Sequence, residues 1–262
     1  MEISVENRTK AGIQHWINQI ERTCATTHIS NINLVLDQAG NTPAIIQELK
    51  RFQPAISWCS LLENEPENAF LEDAPLFIQI QMNIWQHKEW FHALLRQFSE
   101  PSRVLLLFSP YSFEHLAKQL QQLVIGEWEG RKGVLRFYDT RMFPLLLKSI
   151  LSAQQRNYLL DIALLWSWRN RDGDSVWLPG SYIKGRELPQ NSRLTLDDRQ
   201  FDLLGYISDI ELFYKARRFD FPQYTHEEFF QLLWRKVPEI MQQPLLAQTD
   251  DVFMQYLLQD KK

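Results

Sequence analysis

The stretch Arg103-Val104-Leu105-Leu106-Leu107-Phe108-Ser109 is apolar at every position between its two ends and has the length of one strand. A strand with no polar face has to be covered on both sides. The chain around it supplies the covering elements. Residues 87–98 read as a helix before it, and residues 112–123 as a helix after it. Further out, residues 31–37 read as a strand with Ile32, Leu34 and Leu36 on one face, and residues 55–60 and 75–81 as two more. Residues 163–169 and 175–178 are strands flanking Arg171-Asp172-Gly173-Asp174, whose Asp-Gly is a strong turn signal. Near the N-terminus, Ile13, Trp16, Ile17 and Ile20 fall on one face of an amphipathic helix over 9–24. Thr42-Pro43 offers an N-cap followed by proline at the first helical position, opening a helix to about Phe52. Residues 63–68 form an acidic, proline-containing loop. Residues 124–129 and 134–138 are predicted as strands joined by a turn over 130–133, and residues 140–151 as a helix. Strands alternating with helices predict an α/β lobe with a mixed sheet.

Residues 179–193 change character. They are rich in Gly, Pro, Ser and Asn and have no period, so residues 181–193 read as a linker. Only helical patterns follow. Leu203, Ile207, Ile210 and Tyr214 share a face. Thr225 and Glu228 make a capping box ahead of Phe229, Leu233, Val237 and Ile240. Val252, Phe253, Tyr256 and Leu257 mark a last short helix. The expected organisation is an α/β main lobe over 1–180, the linker, and a small all-helical C-terminal lobe over 194–262.

Composition narrows the function. Hydrophobic residues make up 45% of the 262 positions, ample for a core. The net charge of -4 favours no nucleic-acid partner. Lys and Arg bunch at Arg131/Lys132 and Lys215/Arg217/Arg218, but acids stand nearby and the clusters read as solvated surface. The opening residues lack a basic n-region and apolar h-region, and no window approaches the ~20 apolar residues of a membrane span. Two cysteines far apart, Cys24 and Cys59, read as reduced thiols. A cytoplasmic protein is the expectation. Aromatic content reaches 13%, with 9 Trp, and aromatics anchor interfaces as well as cores.

Motifs for chemistry are missing. His87 and His92 are five apart, about 140° around a helix, so they cannot share a face as metal ligands. Asp172-Gly173-Asp174 lacks the other ligands of a calcium loop. There is no nucleophile elbow, no phosphate-binding loop and no dinucleotide fingerprint, and nine glycines leave few loops able to cradle phosphate. Neither cofactor nor metal is expected.

Three places together resemble one family. They are Leu34-Val35-Leu36-Asp37-Gln38-Ala39, Asp73-Ala74-Pro75-Leu76-Phe77, and Gly133-Val134-Leu135-Arg136-Phe137-Tyr138-Asp139-Thr140-Arg141-Met142-Phe143. The last resembles the arginine–phenylalanine–tyrosine–aspartate–proline–arginine hallmark of the type VI secretion effector chaperone/adaptor family. The resemblance covers about 31–178, and the helical tail opened by Leu194-Thr195-Leu196 is similar to the tail many members have. This chain has Thr140 where the family has proline; its hydroxyl is expected to cap the following helix. Alternation along 134–138 places Val134, Arg136 and Tyr138 on one face and Leu135 and Phe137 toward the core. Asp139 would accept N–H bonds at the helix start and pair with Arg141. The signature residues Arg136, Phe137, Tyr138, Asp139 and Arg141 therefore either fix a fold corner or contact cargo.

The resemblance implies a cytoplasmic adaptor that binds a secreted effector, through the effector's N-terminal region, and helps load it onto the VgrG spike without being an enzyme. The VgrG protein is a second candidate partner. The expected cargo surface is the helical lobe and the adjoining sheet edge, burying on the order of 1,000 Å² or more. Trp166, Trp168, Trp177, Tyr206, Tyr214 and Trp234 are the candidate anchors, although Trp166 and Trp168 lie on one face of a predicted strand, a face that a dry core suits better. Two rival readings stand beside this one: an enzyme with an active site between the lobes, and a structural subunit without cargo.

Overall fold

A computed structural model describes residues 5–41, 45–189, 191, 193–242 and 249–259. The chain divides into two units, Met1–Thr195 and Leu196–Lys262.

In the first unit the elements run α1 (Val5–Thr27), β1 (Asn31–Leu36), α2 (Ile45–Arg51), β2 (Ser57–Ser60), β3 (Leu76–Gln81), α3 (Trp85–Gln97), β4 (Val104–Phe108) and α4 (Phe113–Leu123). A hairpin of β5 (Ile125–Trp128) and β6 (Arg131–Val134) follows, then α5 (Phe143–Leu145), α6 (Ala153–Leu160), β7 (Leu165–Arg169), β8 (Ser175–Pro179) and β9 (Leu194–Thr195). Six strands form one sheet in the order β2-β3-β1-β4-β7-β8, every ladder antiparallel. The only parallel pair among the described residues is β5 with β9, in a small second sheet. The α/β main lobe and the helices after it are as expected.

Strands β1 and β4 lie at the middle, which explains their composition: all five residues of β4 are buried. One sheet face carries Leu34, Ile78, Leu106 and Phe108 and packs on Ile13, Trp16, Ile17 and Ile20 of α1, on Ile45, Ile46 and Leu49 of α2, and on Phe91, Leu94 and Leu95 of α3. Each such side chain, fully buried, stabilises the fold by roughly 1.5–3 kcal/mol against exposure. Trp16 also donates from Nε1 to Ser167 Oγ on β7 at 2.8 Å. The opposite face presents Leu105, Leu107, Trp166 and Trp168, because Leu105 stands across from Trp168 and Leu107 from Trp166. Phe143 covers these two tryptophans, at centroid distances of 4.9 and 5.3 Å.

The signature segment departs from its expected strand. The hairpin turns at Glu129-Gly130, with φ of 48° and 72°, the two left-handed positions of a tight two-residue loop. The second strand is therefore 131–134, and residues 135–142 leave it in a series of turns. Phe137 N donates to Leu135 O at 2.7 Å and Asp139 N to Arg136 O at 2.9 Å. Leu135, Phe137 and Tyr138 are all buried. The predicted helix over 140–151 is shorter: α5 runs directly into a wider π turn, Leu146–Ile150. Helix α6, which no pattern announced, opens on a capping box of Ser152 and Gln155. Residues 181–189 are tied to the first unit. Tyr111 Oη donates to Arg186 O at 2.9 Å, Gln119 Nε2 to Pro189 O at 2.8 Å, and Arg186 pairs with Asp161 at 2.9 Å. The Thr42-Pro43 cap lies outside the described residues.

The second unit contains α7 (Asp198–Arg217), α8 (His226–Trp234), α9 (Val237–Ile240) and α10 (Thr249–Gln259). Asp197 and Gln200 cap α7 reciprocally, as Thr225 and Glu228 cap α8. Leu203, Ile207, Ile210 and Phe213 line the buried face of α7, and Phe213 packs on Phe229 and Phe253 at centroid distances of 6.2 and 5.4 Å. The one helical stripe expected from Thr225 through Ile240 is interrupted after Trp234. Pro238 lacks an N–H and would crowd the carbonyl four residues back, so a new helix starts with proline in its first turn. Val252, Phe253 and Leu257 are buried as their spacing predicts; the Tyr256 side chain lies outside the described residues. No described helix is long and apolar enough to cross a membrane.

Candidate functional site

Asp37 follows directly on β1, and its N–H still donates to Arg103 O, just before β4, at 2.8 Å. This places a carboxylate, only 2% exposed, at the C-terminal end of a central strand. Asp37 Oδ1 accepts from Ala39 N at 3.2 Å, and Oδ2 accepts from Arg136 Nη2 at 2.6 Å. Arg103 Nη1 stands 3.8 Å from Oδ1 and donates to Ala39 O at 2.8 Å. The turn after β6 brings Arg136 back onto the end of β1, 99 residues earlier in the chain.

Asp139 performs the second half of the corner. Its carbonyl accepts from Met142 N and Phe143 N, both at 2.9 Å, starting the turn that leads into α5. Its Oδ1 accepts from Arg141 N and Arg141 Nε, both at 3.0 Å, and its Oδ2 from Arg141 Nη2 at 2.7 Å. One carboxylate thus satisfies a backbone donor and holds a guanidinium bidentately. Arg171 Nη2 donates to Arg141 O at 3.0 Å and fastens the β7–β8 turn to the same place.

Thr140 does not cap the helix as expected. Its Oγ1 donates to Arg169 O at 3.1 Å and accepts from Ser102 N at 3.0 Å, with the side chain buried. A proline at this position, as in the hallmark, would leave both backbone groups without this bridge. Arg169 extends the tie through Nη1 to Ser99 O at 2.6 Å and Nε to Gly173 O at 2.7 Å. The corner therefore joins four chain segments: the end of β1, the loop before β4, the 136–141 turn and the β7–β8 hairpin. The Arg136 side chain is 48% exposed and shows a guanidinium edge to solvent. It could donate to a carboxylate of a partner without releasing Asp37, since a guanidinium has five N–H donors.

Nothing in the corner resembles a nucleophile poised for reaction. Both carboxylates have donors on each oxygen. Burial, with the Asp37 carboxylate beside it, pushes the Tyr138 phenol well above its ordinary value, while the Arg136 guanidinium, 5.9 Å from the ring centroid, opposes the shift. Burial also pushes the Cys59 thiol up to about 12 and the Cys24 thiol up to about 11, each helped by a nearby glutamate. Both stay protonated thiols at neutral pH. His87 is a structural bridge: its Nδ1 accepts from Gln81 N at 3.3 Å, and its Nε2 lies 3.0 Å from Pro54 O. His92 instead faces Glu21 at 3.2 Å, so the two histidines of α3 converge on nothing. Among the described residues no group of three or more His, Cys, Asp or Glu is placed to hold a metal ion.

Of the six aromatic candidates, Trp166, Trp168 and Trp177 belong to the first unit and Tyr206, Tyr214 and Trp234 to the second. Trp166 and Trp168 are inside the core against Phe143 and present no anchor. Trp177 is half-buried, 5.8 Å from Phe108, and its Nε1 donates to Gln19 Oε1 at 3.2 Å. Tyr214 lies flat on His226 with centroids 3.8 Å apart, and Trp234 is buried beside Phe230. Tyr206 is half-buried; burial raises its phenol, with Asp202 and Asp209 adding to the shift. Sequence reasoning did not place Arg103, Arg169 and Arg171 in the corner. The available signal was position: each stands at an end of an apolar strand or in its turn.

Residues 33–158 match the family described as a domain of unknown function, DUF4123. The DUF4123 match takes in Asp37, Arg103 and the whole 136–143 segment, and so most of the corner. It stops before Arg169, Arg171 and the helical unit. No curated protein and no solved structure matches the chain.

Proposed function

We propose that this chain is a non-enzymatic adaptor that binds an effector of a type VI secretion machine in the cytoplasm and helps load it onto the VgrG spike. The observation that carries this reading is the DUF4123 match over 33–158, a domain family associated with type VI effector adaptors. The signature residues fall inside that span and brace four segments of one scaffold, an arrangement suited to presenting a fixed surface. Supporting it are protonated thiols and carboxylates that already have their donors. In a strain lacking this chain, the effector is expected to be insoluble or depleted and absent from the secreted fraction, with complementation restoring both. Equal abundance, solubility and secretion of the effector without the chain would sink the proposal.

A further inference from the structure

Helix α7 buries one face and exposes apolar residues on the other. At 100° per residue, Phe201 and Leu212 fall within about 20° of each other, and Gly205, Ser208 and Ala216 lie within about 60° of the same line. Phe201 is 42% and Leu212 65% exposed, and the three small residues are exposed as well. Phe219, 78% exposed, follows just after α7 ends and has the Arg218 guanidinium over its ring at 4.6 Å, so it stands outside the stripe. Scattered exposed apolar residues mean little, but a stripe along one helix marks an interaction surface.

Gly205 is the decisive residue. Mid-helix glycine costs helix stability relative to alanine. Here a Cβ would meet nothing within 4 Å, so the chain's own packing gives no reason for it. With Ser208 and Ala216, it makes a shallow track in which a second helix backbone can approach closely. Charge identifies the occupant. Asp198, Asp202 and Asp209 run along one flank of the stripe, while Lys215 and the buried Glu211 border it on the other, so acids outnumber bases around it.

We propose that the outer face of α7 docks an amphipathic helix whose apolar stripe is flanked by Lys or Arg, and that this helix belongs to the cargo. The second clause rests on the adaptor reading; the first does not. A second copy of α7 fits less well, because a two-fold axis would set Asp209 near its own copy at the centre.

The test uses the full chain and two synthetic helical peptides with one leucine stripe, flanked by lysines in one and glutamates in the other. The lysine peptide is expected to bind, more weakly as salt rises, and the glutamate peptide at least about tenfold less tightly. Leu212→Asp should weaken the lysine peptide by at least about tenfold. Gly205→Trp should do the same while touching no interior contact, and circular dichroism should show both variants folded. Cargo that co-purifies with the native chain should be lost from both. Equal binding of the two peptides overturns the proposal. So does a dimer that Leu212→Asp dissolves, since the occupant is then a second copy. Full retention of cargo by both variants overturns it while leaving the adaptor reading intact. If the native chain captures no cargo at all, the adaptor reading fails and the assignment of the helix to cargo falls with it.

Discussion

Phe143→Ala is expected to lower the unfolding free energy by about 3–5 kcal/mol, the range for removing a fully buried aromatic ring. Phe143 has no exposed surface and packs on Trp166 and Trp168 of β7. Its position is set by the Asp139 carbonyl, which accepts its N–H, so it joins the signature turn to the central sheet. The site is bounded by two large rigid rings and cannot collapse to fill the space. Phe143→Leu keeps most of the volume and should lose roughly half as much. Urea denaturation followed by tryptophan fluorescence reads both. A loss under about 1 kcal/mol for Phe143→Ala would show that the turn is not anchored to the sheet through this ring.

Asp37→Ala is expected to cost about 2–4 kcal/mol. Removing one partner of a buried pair costs about 3–5 kcal/mol when both are buried. Here the loss is reduced, because Arg136 is half exposed and can turn to water. Two further donors lose their acceptor at the same time, Ala39 N–H and part of the Arg103 contact. Asp37→Asn preserves shape but cannot offer two anionic oxygens, and should retain less than half of the corner's stability. The accompanying change is local: hydrogen exchange should speed up over 136–142 and 37–39 before it does in β4. If Asp37→Ala unfolds at the native midpoint with unchanged exchange, the corner does not brace the fold.

How much of this was legible in the sequence depended on how local the signal was. Apolar runs placed β4 and its neighbours, since a strand covered on both faces has nothing polar to confuse it. Capping chemistry placed the start of α8. Helix α6 escaped notice because only Leu159 of its eight residues is buried, so no period existed to read. The capping box of Ser152 and Gln155 was its one local mark. The 134–138 strand was displaced because Glu129, a residue not expected at positive φ, shares the hairpin turn with Gly130. That shift turned an alternating strand into a chain of turns, which buries Tyr138 along with Leu135 and Phe137. Trp166 and Trp168 were named as anchors on the strength of their type. Their parity on β7 already pointed that face to a core, but that Phe143 is what covers it is visible only once the partner segment is in place. The Arg136–Asp37 pair spans 99 residues, and no spacing rule reaches that far.

Native purification of the tagged chain from its own host, with mass spectrometry of whatever elutes beside it, tests the adaptor proposal most directly. The account predicts one secreted effector in near-stoichiometric amount, resisting a wash at moderate salt. A chain that elutes alone, while the effector runs separately and stays soluble, would contradict it.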